Sequence, residues 1–230
     1  QKDYIASILS ASHHLRDLIT DIIDLAAIDA GKLSIEVENV DLRDLLTSAA
    51  TYAALKAEDT QVALSVDCPK DIGEIRADGR RLKQVLFNLL SNAFAYTGSG
   101  GQVTIGADRA PGLVRIWVAD SGRGMSPADQ AKVFDPFESS GPSAGAGLGL
   151  SLVQRLIDLH GGWVRMDSMP GEGTRVTCFL PADPRPVSVE EAEGATSIAR
   201  ASEPPASAPA KKPSVLRRRP AAPRADAAAE

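Results

Sequence analysis

The chain has 230 residues, a formal net charge of −5 and a pI near 5.3, enough for one domain of ordinary size plus extensions. The acidic balance argues against general nucleic-acid binding, and no run of about 18 apolar residues is present to cross a membrane as a helix. The first residue is Gln1 rather than Met, as expected of a piece of a longer protein, so a signal peptide or membrane anchor of the parent would lie upstream. Cys68 and Cys178 stand alone, with no Cys-x-x-Cys and no His cluster beside them. Neither a disulfide framework nor a zinc site is indicated, and a reducing, cytoplasmic setting fits.

Residues 1–31 read as one long helix. Ile5, Ile8, Ser12, Leu15, Ile19, Ile22 and Ala26 alternate spacings of three and four, the seam of a coiled coil or helical bundle, and Gly31 is placed to end it. A helix with such a seam needs a partner. His13 and His14 fall beside the seam on its solvent side and read as part of a solvated face. A short extended piece at Ser34 to Glu38 precedes a second helix, for which Asp41 is the candidate N-cap. Gln61 to Asp67 alternates as a strand does, and Ile75-Arg-Ala is a shorter one.

The stretch Arg81 to Thr97 is the most informative. Leu82, Val85, Leu86, Leu89, Leu90 and Ala93 recur at helical spacing as a core-facing stripe, while Gln84, Asn88 and Asn92 sit four apart on a different face. An amide in a packed helix needs a partner, and three in one row suit a shared ligand; simple solvation of a polar face is the alternative. Strands are expected at Val103 to Ala107, Leu113 to Ala119, Trp163 to Asp167 and Thr174 to Leu180. The apolar run before Asp120 ends in Gly122 and Gly124, a strand entering a tight turn. Gly145-Ala-Gly147-Leu148-Gly149-Leu150 opens the helical pattern Leu150, Val153, Leu156, Ile157, His160, where free N–H groups favour an anion.

Helices interspersed with mostly antiparallel strands imply an α+β chain: a two-layer α/β sandwich with one mixed sheet covered on one face by helices, preceded by the long helix. Residues 32–183 would form that domain. In residues 184–230, Pro, Ala, Ser and charges dominate, so a disordered tail is expected. Its clusters Lys211-Lys212 and Arg217-Arg218-Arg219 read as solvated, or as a contact for an acidic partner or membrane surface.

Four stretches carry a resemblance. Asn88-Leu-Leu-Ser-Asn92-Ala with Tyr96-Thr97, Asp120-Ser-Gly-Arg-Gly124, Phe134-Asp-Pro-Phe137 and Gly145-Ala-Gly-Leu-Gly-Leu150 resemble the N, G1, F and G2 boxes of bacterial sensor histidine kinases. They stand in the family's order and at its spacing, and the resemblance covers residues 1–183. It implies the Bergerat ATP-binding fold, with residues 1–31 similar to the second helix of the dimerisation and phosphoacceptor hairpin. The first helix, which carries the phosphorylated histidine in that family, has no counterpart here. His13 and His14 precede Leu-Arg-Asp rather than the acidic residue and Thr-Pro of the acceptor motif.

The resemblance implies ATP and Mg²⁺ as cofactors. Asn92 matches the amide that takes Mg²⁺ through its oxygen, Asn88 the one supporting the same phosphates, and Asp120 the carboxylate that accepts from the adenine amine. Tyr96, Gly122, Gly124, Met125, Gly145, Gly147, Leu148, Gly149 and Leu150 complete the implied nucleotide site, while Phe134 and Phe137 read as core anchors. The implied reaction is γ-phosphoryl transfer to a hairpin histidine for relay to a response regulator, with a homodimer formed through the hairpin, no nucleic-acid partner and a cytoplasmic domain without membrane contact of its own, the placement of the parent, free or anchored in the inner membrane, being left open. Related hydrolases place a Glu where this chain has Asn88, which argues against hydrolysis.

Two departures weaken the implied kinase. Ala95 stands where the family often has Lys or Arg, and Glu138-Ser-Ser-Gly-Pro-Ser-Ala144 in the lid has no cation. Each missing charge-assisted hydrogen bond is worth roughly 1.5–3 kcal/mol, one to two powers of ten in rate if felt only in the transition state. Arg123 or a residue of another segment is the candidate replacement. The alternative function is a nucleotide-binding signalling module, a pseudokinase with weak or no transfer.

Overall fold

The computed structural model describes residues 2–136 and 147–182. The long helix α1 (Lys2–Asp29) leads into β1 (Glu38–Asp41), α2 (Leu42–Thr60), β2 (Ala63–Asp67), β3 (Glu74–Ala77) and α3 (Gly79–Tyr96). Then come β4 (Gln102–Ala110), β5 (Leu113–Asp120), the short α4 (Pro127–Gln130), α5 (Gly149–Leu159), β6 (Trp163–Met169) and β7 (Gly173–Pro181).

Local chemistry sets the boundaries. Gly31 follows α1 in the left-handed region at φ 64°. Asp41 caps α2, its Oδ1 accepting the Asp44 N–H at 2.9 Å. Asp78 caps α3 through the Arg81 N–H at 3.0 Å, and its other oxygen accepts the Glu36 N–H at 3.0 Å. One carboxylate thus starts the central helix and ties down the linker behind α1. The four-residue α4, which hydrophobic periodicity does not reveal, is set by the Ser126 cap and Pro127 at its first position.

The main sheet runs β2-β4-β5-β7-β6, parallel only between β2 and β4. Its inner rows, including Val103, Ile105, Ile116, Val118, Val176 and Leu180, are buried against α2, α3 and α5. The other face carries Trp117, which occupies the space beside Gly106, with the Arg175 guanidinium 4.4 Å from its ring centroid. This is the two-layer α/β sandwich. The expectation of a single sheet is exceeded in one respect: β1 and β3 pair with each other as an antiparallel ribbon, from Glu38↔Ala77 to Asp41↔Glu74, apart from the five strands. Each runs directly into a helix, so the ribbon closes the starts of α2 and α3.

The C-terminal end of α1 joins this core through Ile28 and packs on α5. Asp24 reaches α3, accepting at 2.8 Å from both Arg81 Nη1 and Gln84 Nε2. Further up α1, Leu15, Ile19, Ile22 and Ile23 are 47–61% exposed. The side chains of Ile5, Ile8, His13 and His14, and the whole 184–230 tail, lie outside the described residues.

Candidate functional site

The inner end of α3 and the ends of β5 and β7 enclose a cavity. From α3 come Leu89, Asn92, Ala93 and Tyr96; from β5, Val118 and Asp120; beyond it, Met125; from α5, Leu150; and from the β6–β7 hairpin, Met166, Thr174 and Val176. The walls are mostly apolar, with few polar groups converging at one side, the usual make-up of a small-molecule site. Helical phase puts Asn92 here: it lies off the buried stripe yet on the flank turned to the cavity.

Asp120 is the one carboxylate in that lining. Burial pushes its pKa up, and hydrogen bonds from the main-chain N–H groups of Gly122 and Thr174 partly offset this. The Gly122 N–H lies 2.8 Å from Asp120 Oδ1. An acidic group at an apolar wall, with one oxygen already engaged, suits recognition of a polar edge on a flat, otherwise apolar ligand.

Behind Asn92, one turn back, Asn88 Nδ2 is buried without a hydrogen-bond partner among the described residues. A buried donor left unmade costs about 1–3 kcal/mol, so its place in a folded chain needs an acceptor supplied from elsewhere. Facing both amides is the first turn of α5: a Cβ at Gly149 would lie 3.8 Å from Asn92 Nδ2 and 3.9 Å from Asn88 Cγ. Among the described residues no side chain caps this helix start, so its N–H groups and dipole are free to serve the same space.

The glycines have sterically specific duties. A Cβ at Gly122 would collide with the Tyr96 carbonyl, and one at Gly124, whose φ is 64°, with the Met169 carbonyl. Their first demand is thus close approach of the chain to itself, which seats the turn between α3 and the β6–β7 hairpin. Gly147 has φ 71°, and Leu148 is buried in the core just before α5. Phe134 packs against the core as a partly buried residue. Gly145, Phe137 and the stretch from Glu138 to Ala144 lie outside the described residues.

Asn92, Tyr96, Asp120, Met125 and Leu150 therefore share one cavity, with Asn88 and Gly149 beside Asn92. Gln84 does not join them: its amide bridges Arg81 and Asp24 instead. The row of three amides is a row of two. Sequence reasoning missed Met166 and Thr174; the signal was Gly171-Glu-Gly173-Thr174, where the register sets Thr174 opposite Asp120. Ala95 is exposed, and the Arg123 guanidinium lies over the Tyr96 ring, 4.6 Å from its centroid.

Residues 77–184 match the family described as histidine kinase-, DNA gyrase B- and HSP90-like ATPases, and with this fold and cavity they define an ATPase-family domain. The chain is 43% identical over 185 residues to the sensor protein DivL of Caulobacter vibrioides, a match covering 80% of this chain and 24% of DivL. Histidine protein kinase DivJ of the same organism is 37% identical over 183 residues, covering 78% of this chain and 31% of DivJ. The structure of full-length ShkA in complex with AMPPNP aligns with a TM-score of 0.71 at 29% identity, covering 82% of this chain and 40% of ShkA. Within the family, the chain carries the ATP-binding catalytic domain of a sensor histidine kinase. It spans less than a third of the length of these curated relatives.

Proposed function

We propose that this domain binds Mg·ATP and transfers its γ-phosphoryl group to a histidine on a hairpin helix outside this chain, for relay to a response regulator aspartate. The observation that carries the reading is the buried Asn88 Nδ2, without a hydrogen-bond partner among the described residues, one turn from Asn92, which lines the cavity that also holds Asp120. In this reading Asp120 accepts from the adenine amine, and Tyr96, Met125 and Leu150 flank the base. Asn88 donates to phosphate, Asn92 offers its amide oxygen to Mg²⁺, and the α5 start from Gly147 to Leu150, continuing the G2 box from Gly145, adds main-chain N–H groups. Held by Asn92, a hard cation would supply charge neutralisation at the phosphates. The acceptor imidazole forms the new P–N bond as the β–γ P–O bond breaks and ADP leaves. Positioning and charge stabilisation suffice, and this chain needs no general base.

A weaker variant of the same reading, a nucleotide-holding signalling module, is favoured by one observation: Ala95 places no cation at the exposed end of α3. Labelled-phosphate transfer from Mg·ATP, with this chain rejoined to its upstream helix, separates the two. The kinase predicts acid-labile label on histidine, raised about ten- to a hundredfold in rate by Ala95→Lys, and passage of label to a receiver domain. Tight ATP binding without label supports the signalling module instead.

The exposed apolar residues of α1 support assembly of a homodimer through the hairpin. Ile19→Glu with Ile22→Glu should convert the rejoined chain from dimer to monomer in sedimentation equilibrium; an unchanged mass would remove α1 from the interface. Dependence on ATP would support a cytoplasmic setting for the domain, and fractionation of cells with an antibody to this chain tests that: label in the periplasmic fraction would contradict it.

A further inference from the structure

The turn after β5 is clamped at Arg123 from both sides. Its N–H donates to the Tyr96 carbonyl at 3.3 Å, and its carbonyl accepts from the Gly171 N–H at 2.7 Å. One bond ties it to the last residue of α3 and the other to the β6–β7 turn. Gly122 tightens the arrangement, since only a residue without a Cβ fits against the Tyr96 carbonyl. The Arg123 side chain therefore leaves from a fixed point, although it is itself exposed.

From there its guanidinium lies 4.6 Å from the centroid of the Tyr96 ring. Tyr96 is half-buried and lines the same cavity as Asp120 and Met125. A cation over a tyrosine face attracts through the ring quadrupole, and a planar guanidinium also stacks. At the last residue of a helix, this contact favours one rotamer of the ring over its alternatives.

We propose that Arg123 is a positioning residue for the nucleobase: it holds the Tyr96 ring in place as a preset wall of the base cavity. The inference rests on the nucleotide reading of that cavity and adds to it a residue whose part is separate from phosphate chemistry. A wall already in place spares the ligand the cost of ordering it, which strengthens ground-state and transition-state binding alike. The gain appears in Kd and in KM. A cation–π contact at an exposed site corresponds to about two- to fivefold in affinity.

The test is calorimetric titration with ADP of the unaltered protein, Arg123→Ala, Arg123→Lys, Tyr96→Ala and the Arg123→Ala/Tyr96→Ala pair. Arg123→Ala should weaken binding about two- to fivefold, with Arg123→Lys recovering part of the loss. In the Tyr96→Ala background, Arg123→Ala should cost nothing further, a coupling that a role in folding alone would not produce. Tyr96→Leu serves in the cycle should Tyr96→Ala fail to fold. Undiminished ADP affinity in Arg123→Ala, or the same loss with and without the Tyr96 ring, would overturn the inference and leave the nucleotide site standing. Failure of the unaltered protein to bind ADP would overturn both.

Discussion

His160 shows how far one side chain's environment reaches. It is 1% exposed, its Nε2 accepts the Asp78 N–H at 3.1 Å, and its Nδ1 lies 2.7 Å from the Leu156 carbonyl. That pattern requires a neutral ring with the proton on Nδ1. Burial pushes its pKa below the ordinary value of 6.5, against the opposing effects of the Leu156 carbonyl and the Asp78 charge. Because the folded value lies below the unfolded one, this contribution to stability is complete above pH 6.5 and declines as pH falls below it. Asp158 acts with the opposite sign. Burial raises it to about 6 from 3.8, so it favours folding progressively as pH drops from about 6 toward 3.8. In an Asp158→Asn background, urea unfolding should therefore give lower stability at pH 5.5 than at pH 7.5, and His160→Gln should flatten that difference. An equal slope in the two proteins would contradict the neutral assignment.

At the scale of elements, the turn from Asp120 to Met125 decides whether the site assembles. It is locked to α3 through Tyr96 and to the β6–β7 hairpin through Met169 and Gly171. Gly124→Ala would add strain at φ 64° to a collision with the Met169 carbonyl, so a loss of about 2 kcal/mol or more is expected. Gly112→Ala is the contrast. Its φ is 71°, but no atom lies within 4 Å of the new Cβ, so a smaller cost should appear in the same denaturation series. Equal losses would mean that packing of the turn contributes nothing.

What was legible in the sequence follows the same division between local and distant causes. Asp41 caps α2, and the buried stripe from Leu82 to Ala93 gave α3, because these signals lie within a few residues of one another. Asp120 with Gly122 announced a strand entering a turn. Spacing also placed Gln84 in line with Asn88 and Asn92, but it cannot tell what each turn of a helix faces; Gln84 meets Asp24, 60 residues away. The β1–β3 ribbon and the entry of Thr174 into the cavity were hidden for the same reason, since both depend on strand register.

At the scale of the whole molecule, α3 is the shared support. Its early turns meet α1 through Arg81 and Gln84, its middle turns carry Asn88 and Asn92, and its last residue, Tyr96, lines the cavity. The long helix α1 and the cavity are thereby mounted on one element. The central claim is that the cavity is a Mg·ATP site built on Asn92. Calorimetric titration of Mg·ATP into the unaltered chain and into Asn92→Ala tests it most directly. The account predicts saturable binding by the first and its loss in the second, with thermal unfolding little changed because Asn92 is half-buried and lies off the buried stripe of α3. Undiminished affinity in Asn92→Ala would contradict it.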